Sequence, residues 1–174
     1  MPEYNLFLDL AEVAIVFAGF SGISAVLSKR GPGGWSEIDA ARIAMMVENS
    51  LVYALLALLP LGLWGLGFRG STVWVICSTG LALYMASTLI RIATTLSRVY
   101  REEQYERDNP VWIVVTFAGA TAAIVVQCLN VFAVVFDRTS GPFLSGLIVG
   151  LALSARLFVR SLSILRSARS DTPE

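Results

Sequence analysis

The chain has 174 residues, of which 56% are hydrophobic and 15% are charged, and its 13 Lys and Arg balance its 13 Asp and Glu. Soluble domains carry roughly 25% charged residues, so this composition argues against a soluble domain and indicates an integral membrane protein. The absence of histidine excludes histidine-ligated haem, most catalytic zinc sites and every triad that uses an imidazole base.

Five apolar runs follow one another, each long enough to cross roughly 30 Å of hydrocarbon at about 1.5 Å per helical residue. This pattern predicts an all-α, polytopic transmembrane bundle that forms a single domain over residues 1–174. The first run is expected to be a retained span, because no Lys or Arg precedes it to form the basic start of a signal peptide. The predicted spans are 6–27, 44–68, 73–96, 111–136 and 143–165.

Two helices carry features that bear on their course through the membrane. Pro60 is expected to kink the second helix, because proline lacks an N–H and frees a carbonyl one turn earlier. Ser36 is a good N-cap for the same helix. The third helix is expected to continue beyond the bilayer, since charges of alternating sign follow from Arg98 to Arg107, as on a solvated helical extension.

Lys and Arg concentrate in the loops on one side of the predicted bundle. Only Arg69 and Arg138 fall on the other side. Cytoplasmic loops carry the excess of positive charge, so we predict an external amino terminus and a cytoplasmic carboxyl terminus, in agreement with an odd number of spans. The eight positive residues on the cytoplasmic side are Lys29, Arg30, Arg42, Arg98, Arg101, Arg107, Arg166 and Arg169.

Polar and small residues share single faces when successive residues are placed 100° apart on a helix. The fifth span has Gly146, Gly150 and Ser154 at a spacing of four, which predicts close helix packing. In the first span, one face carries Glu12, Gly19 and Ile23 and another carries Ala14, Ala18 and Ala25. The stripe of the third span comprises Cys77, Gly80, Tyr84, Ser87 and Arg91. The stripe of the fourth comprises Thr116, Ala120, Ala123, Gln127 and Asn130.

Side chains at membrane depth define a candidate set for an ion path. Comparison of their depths predicts an inner layer in which Glu48 and Asn49 meet arginines of the third and fifth spans. It also predicts an outer layer in which Glu12 meets amide side chains of the fourth span. The full set is Glu12, Glu48, Asn49, Arg91, Gln127, Asn130, Arg156 and Arg160.

Each charged position in this set has a structural and a functional interpretation. Glu48 can form an ion pair that fixes the helix register, or it can lie on an ion or proton path, since ionisable residues inside a membrane are functional candidates by default. Glu12 has the same two readings. Arg91 and Arg160 lie near enough to the interface to extend their charged ends into it.

Catalytic and cofactor sites are not expected. Gly19-Phe20-Ser21-Gly22 matches the string around the nucleophile of rhomboid intramembrane proteases, but that serine needs a base, which rhomboids supply as a histidine. Cys77 and Cys128 lack metal-ligand spacing and are expected to act as small hydrophobes. We therefore predict no enzyme activity, no metal and no cofactor.

The front of the chain resembles a group of small uncharacterised bacterial inner-membrane proteins. The residues that carry the resemblance are Ala11-Glu12, Gly19-Phe20-Ser21-Gly22, Trp35-Ser36 with Asp39 ahead of Arg42, and Leu59-Pro60. They cover about the first two spans. The resemblance favours a bacterial inner membrane and implies no activity, site or substrate.

Two functions remain open on the sequence. One is a channel or transport-type conduit that is homo-oligomeric, because five spans leave little room for a pore within one chain. No inverted repeat supports an alternating-access carrier. The other is a non-catalytic structural or regulatory subunit that docks on another membrane protein. The expected partners are the lipid bilayer, further copies of the chain or another membrane protein, and no nucleic acid.

Overall fold

The computed structural model describes residues 4–28, 37–101 and 110–170, and every regular element in these ranges is an α-helix. The prediction of an all-α protein is confirmed. The helices are α1 (Tyr4–Ser28), α2 (Glu37–Gly65), α3 (Ser71–Arg101), α4 (Pro110–Val131) and α5 (Ser140–Ser170).

Four stretches of the described residues are long and apolar enough to cross a membrane. They are Tyr4–Ile23, Ala44–Gly65, Ser71–Thr95 and Val111–Val131, and each coincides with a predicted span. α5 contributes a shorter apolar stretch, Ser140–Arg156. Many large apolar side chains on these helices are exposed, as expected of helices that face lipid rather than water.

The helices are divided between two compact units. The first unit contains α1, α2 as far as Leu58, and α5 from Leu151 onwards. The second unit contains the remainder of α2, all of α3 and α4, and α5 as far as Gly150. The division of α2 falls beside Pro60, across which the chain remains helical. The predicted kink at Pro60 stays a prediction.

The core of the first unit is built largely from small side chains. α1 buries Phe7, Ala11, Ala14, Ala18 and Ser21, which recur every three or four residues and therefore share one face. Its opposite face exposes Glu12, Gly19 and Ile23. The two predicted faces of α1 are thus confirmed, except at Ala25, whose side chain lies outside the described residues.

In the second unit α3 and α4 pack against each other. The buried face of α3 includes Val73, Cys77, Leu81 and Met85. The predicted polar stripe of α3 begins in this core at Cys77 and leaves it towards the carboxyl end, where Ser87 and Arg91 are exposed. The backbone remains helical to Arg101, as the prediction of an extended third helix requires.

α2 and α4 end in the same backbone motif. Phe68 N donates to Leu63 O over 3.0 Å and Gly67 N to Trp64 O over 3.1 Å, with Gly67 at φ +91°. This pair of bonds around a left-handed residue is the Schellman motif, in which glycine is usual because it lacks a Cβ. Gly67 therefore fits its position.

At the end of α4 the left-handed position is held by Ala133, at φ +54°. Val134 N donates to Leu129 O over 3.1 Å, and Ala133 N donates to Asn130 O over 3.3 Å. The helix consequently stops at Val131, five residues before the predicted limit of the fourth span at 136. Apolarity alone predicted the longer span, because residues 132–136 are as apolar as the helix before them.

Candidate functional site

The buried face of α4 carries the polar stripe that the sequence predicts. Ala120, Ala123, Gln127 and Asn130 are buried, and Thr116 at the start of the stripe is half-buried. Gln127 and Asn130 are fully enclosed. A buried amide without partners is costly. The hydrogen bonds of these two side chains therefore show whether the amides have a structural role.

Asn130 fastens the α4–α5 loop (residues 132–139) to the end of α4. Its Oδ1 accepts from Thr139 N over 3.1 Å, while its Nδ2 donates to Thr139 O over 3.1 Å and to Ser78 Oγ over 2.9 Å. The side chain thus satisfies both backbone groups of Thr139 and ties the loop to α3. This arrangement is structural, since each polar atom of the amide has a protein partner.

Gln127 joins α4 to the first turn of α5. Its Nε2 donates to Pro142 O over 2.6 Å, and the same carbonyl accepts from Ser145 Oγ over 2.8 Å. The carbonyl of Pro142 can only accept, so the nitrogen of the Gln127 amide must face it. Oε1 of Gln127 is buried and has no hydrogen-bond partner among the described residues.

Gly146 gives Gln127 the room that it occupies. A Cβ at this position would lie 2.5 Å from Gln127 Nε2 and 2.7 Å from Leu81 Cδ2, closer than non-bonded atoms approach. Gly146, Gly150 and Ser154 are all buried, which confirms the predicted packing row of α5. The sequence predicted the amide stripe and the small-residue row separately, and the structure brings Gln127 and Gly146 into contact.

The polar triplet of α2 is divided between two faces of the helix. Asn49 and Ser50 are buried, whereas Glu48 is exposed. Ser50 Oγ has no hydrogen-bond partner within the described part of the chain. Of the three predicted polar groups, Glu48 is the one with an exposed side chain, and it also interacts within the structure.

The other charged members of the candidate set are placed as follows. Glu12 and Arg91 are exposed, and Arg156 is half-buried. Glu48, Arg91 and Arg156 each have interactions within the structure. Glu48 and Arg156 belong to the first unit and Arg91 to the second, so the predicted inner layer stays a prediction.

Two of the predictions rest on residues that the structure does not describe. The side chain of Arg160 lies outside the described residues, as does Ser36, the predicted N-cap of α2. The predicted outer layer is likewise untested, because Glu12 belongs to the first unit and the amides Gln127 and Asn130 to the second.

Sequence reasoning missed the partners of the two amides. Ser78 adjoins Cys77 but lies outside the predicted α3 stripe. The other partners are backbone groups of Thr139 and Pro142, which no side-chain pattern reveals. The available signal was the sequence Thr139-Ser140-Gly141-Pro142, a typical helix start with a capping hydroxyl and an early proline.

The remaining chemistry-bearing side chains show no built reaction centre within the described ranges. No group of three or more His, Cys, Asp or Glu there could hold a metal ion. Cys77 is buried, Cys128 is exposed, and both are free thiols. Ser21 is buried and its Oγ donates to Phe17 O over 2.6 Å, so its hydroxyl proton is bonded within its own helix.

The fold places the chain among all-helical proteins with several helices of membrane-spanning length and composition. Comparison of the chain with protein-family models, with curated proteins and with solved structures gave no match.

Proposed function

We propose that the chain is a non-enzymatic, five-span protein of a bacterial inner membrane, with its amino terminus outside and its carboxyl terminus in the cytoplasm. α5 supports the fifth span, because its 31 residues reach about 46 Å at about 1.5 Å per residue. Beyond the apolar stretch Ser140–Arg156, the sequence continues with Leu157-Phe158-Val159. Arg156, which is half-buried, can extend its charged end towards the interface.

Within that membrane, we propose a homo-oligomeric channel or transport-type conduit whose path runs between copies of the chain. The observation that carries the proposal is the exposure of Glu48 on a membrane-spanning stretch. Glu48 lies four residues inside Ala44–Gly65, or about 6 Å along the helix. A charge at the surface of a span is costly in lipid, by roughly 3 kcal/mol or more at mid-depth. Glu48 interacts within the chain, and its exposed side chain leaves room for water or a second copy of the chain to cover the remaining charge.

Glu12 supports the same arrangement on the first helix. It is exposed and lies eight residues inside Tyr4–Ile23, about 12 Å along the helix. The buried amides Gln127 and Asn130, in contrast, are bonded to the start of α5 and to the α4–α5 loop. The carboxylates are exposed, whereas the amides are buried and hydrogen-bonded within the protein. A polar path is therefore favoured along the exposed faces of the chain.

The proposal is tested with full-length protein in native lipid and in sealed vesicles. We expect a homogeneous oligomer in native lipid and a proton or ion flux in vesicles. Glu48→Gln should lower this flux or change its ion selectivity about tenfold, a change equivalent to about 1.4 kcal/mol. Asp137→Asn is the matched control, since Asp137 is an exposed carboxylate outside the four spans. A monomer in native lipid, or no flux under any gradient, would refute the proposal.

A structural or regulatory subunit is the second candidate, and the exposed face of α1 favours it. Gly19 on this face has no atom within 4 Å of the position a Cβ would occupy, so a helix of another membrane protein could approach closely there. A defined partner that co-purifies from native membranes and is lost with Gly19→Leu would support this function. Native purification of the chain with only its own copies would count against it.

A further inference from the structure

We infer that the α4–α5 loop lies in the interfacial layer of the bilayer and that Arg138 in this loop binds the phosphate of anionic lipid headgroups. The inference rests on the membrane location proposed above but not on any transport activity. Its first support is exposure: Phe132 is 73% exposed, Val134 68% and Val135 67%. Three large apolar side chains in one short loop form a surface that favours acyl chains over water.

The second support is the way the loop satisfies its backbone. Asn130 bonds both the N–H and the carbonyl of Thr139, and Arg138 Nε donates to Val131 O over 3.3 Å. The backbone N–H groups of Ala133 and Val134 donate to carbonyls of α4. A loop in water has solvent for these groups, whereas non-helical backbone at membrane depth needs partners from the protein. Here a buried amide bonds both backbone groups of Thr139, and the guanidinium bonds the carbonyl of Val131, the last residue of α4.

The third support is the conformation of Arg138. Its φ is +54°, in the left-handed region that costs an ordinary residue roughly 1–2 kcal/mol. The α2–α3 turn (residues 66–70) has a residue with a similar backbone conformation, Gly70 at φ +63°. Glycine adopts this conformation without the cost, because it has no Cβ. A strained non-glycine residue is a reason to look for a role. The planar guanidinium of arginine matches phosphate oxygens in pairs.

The α2–α3 turn extends the same surface. Asn130 near the end of α4 bonds to Ser78 two turns into α3, and Trp74 in the first turn of α3 lies 6.4 Å from Phe143 in the first turn of α5. Both connections therefore lie at one end of the second unit. The α2–α3 turn exposes Leu66 and Phe68 and carries Arg69, whose Nη1 donates to Trp64 O and Phe68 O. The two connections thus combine two arginines with five exposed apolar side chains, which suits a surface of anionic headgroups and acyl chains.

Depth-dependent quenching tests the insertion of the loop. A polarity-sensitive dye is attached to full-length Val134→Cys/Cys128→Ser in vesicles of phosphatidylglycerol and phosphatidylcholine that carry nitroxide lipids. Leu83→Cys/Cys128→Ser provides the deep reference, because Leu83 is exposed in the middle of α3. We expect shallow nitroxides to quench position 134 best, deep nitroxides to quench position 83 best, and aqueous iodide to quench neither.

Two results at position 134 would overturn the inference. Quenching by iodide would place the loop in water. Shielding from both iodide and nitroxide would show that protein rather than lipid covers the loop, and cross-linking between copies at position 134 would identify that protein as a second copy. If position 83 is also inaccessible to every nitroxide, the proposed membrane location fails as well, which separates the two failures.

Substitutions of Arg138 test the binding of phosphate. We expect phosphatidylglycerol to stabilise the chain against heat more than phosphatidylcholine does, and Arg138→Gly to reduce the selectivity for the anionic lipid about fivefold, as expected from one basic residue near a membrane surface. Glycine suits φ +54°, so this variant should fold, and Arg138→Lys should keep part of the selectivity. Unchanged selectivity in a folded Arg138→Gly protein would refute the assignment.

Discussion

Gly146 offers the sharpest test of how the second unit is packed, because its side-chain position is already occupied. An alanine methyl would lie 2.5 Å from Gln127 Nε2 and 2.7 Å from Leu81 Cδ2. To relieve the overlap, Gln127 must leave the carbonyl of Pro142 or α5 must move away from α4. We therefore expect Gly146→Ala to destabilise the second unit.

The change in unfolding free energy caused by Gly146→Ala is the balance of two opposing effects. Overpacking of a filled core costs roughly 1–3 kcal/mol, whereas replacement of glycine by alanine within a helix gains roughly 0.5–1 kcal/mol. Gly119→Ala in α4 is the matched control, because nothing lies within 4 Å of its Cβ position and it keeps only the gain. The difference between the two variants should be about 1–3 kcal/mol, the cost of the contact itself.

Equilibrium unfolding in mixed micelles, with helix content as the readout, measures both variants under one condition. The destabilisation by Gly146→Ala should shrink in a Gln127→Ala background, because the nearest clashing atom is then absent. Equal stabilities for the Gly146→Ala and Gly119→Ala proteins would refute the packing argument. If Gly146→Ala destabilises the Gln127→Ala protein as much as it destabilises the unmodified chain, the clash is with Leu81 rather than with Gln127.

Four further substitutions probe the helix ends and the buried hydroxyl of α2. Asn130→Ala should lower the unfolding free energy by about 1–3 kcal/mol, because it removes two hydrogen bonds to the backbone of Thr139 and one to the buried hydroxyl of Ser78; protease cleavage within the α4–α5 loop should increase in parallel. Ala133→Gly should raise stability by up to about 1 kcal/mol, and Gly67→Ala should lower it by a similar amount, as the left-handed conformation of both positions requires. Ser50→Ala should be neutral or stabilising by up to about 1 kcal/mol, because it removes a buried hydroxyl that lacks a partner among the described residues, and thermal unfolding in detergent measures it.

Each of these expectations has a result that contradicts it. Unchanged loop proteolysis in Asn130→Ala would mean that the amide does not hold the loop. Ala133→Gly should raise the stability and Gly67→Ala should lower it, because both positions are left-handed. Two changes of stability in the same direction would contradict this explanation. A clear loss of stability in Ser50→Ala would indicate that the hydroxyl has a partner, such as a bound water.

Helical periodicity predicted much of the packing from the sequence. The stripe that contains Gln127 and Asn130 is the buried face of α4, and the row Gly146, Gly150 and Ser154 is a packing face of α5. Both predictions succeed for the same reason. Small and polar residues in a span are tolerated only where another helix covers them, so their spacing reports the covered face directly.

The end of α4 could not be predicted in the same way. Residues 132–136 are apolar, so hydropathy extends the span through them, while the helix stops where Ala133 adopts φ +54°. An alanine carries no sequence signal for this conformation, and the side chain that holds the loop bonds to backbone atoms. The predicted inner and outer polar layers could not be derived in the same way. The depth of a residue along its own helix does not determine which side chain of another helix it contacts.

The paired indoles of Trp64 and Trp74 give the protein a built-in optical probe. Their ring centroids are 5.7 Å apart with planes at 86°, and Trp74 also lies 6.4 Å from Phe143. Two indoles at this separation couple electronically, so the pair should give a distinct circular-dichroism signal that either Trp64→Phe or Trp74→Phe abolishes. Because Trp64 lies at the end of α2 and Trp74 at the start of α3, loss of that signal would report separation of these two helix ends without any attached label.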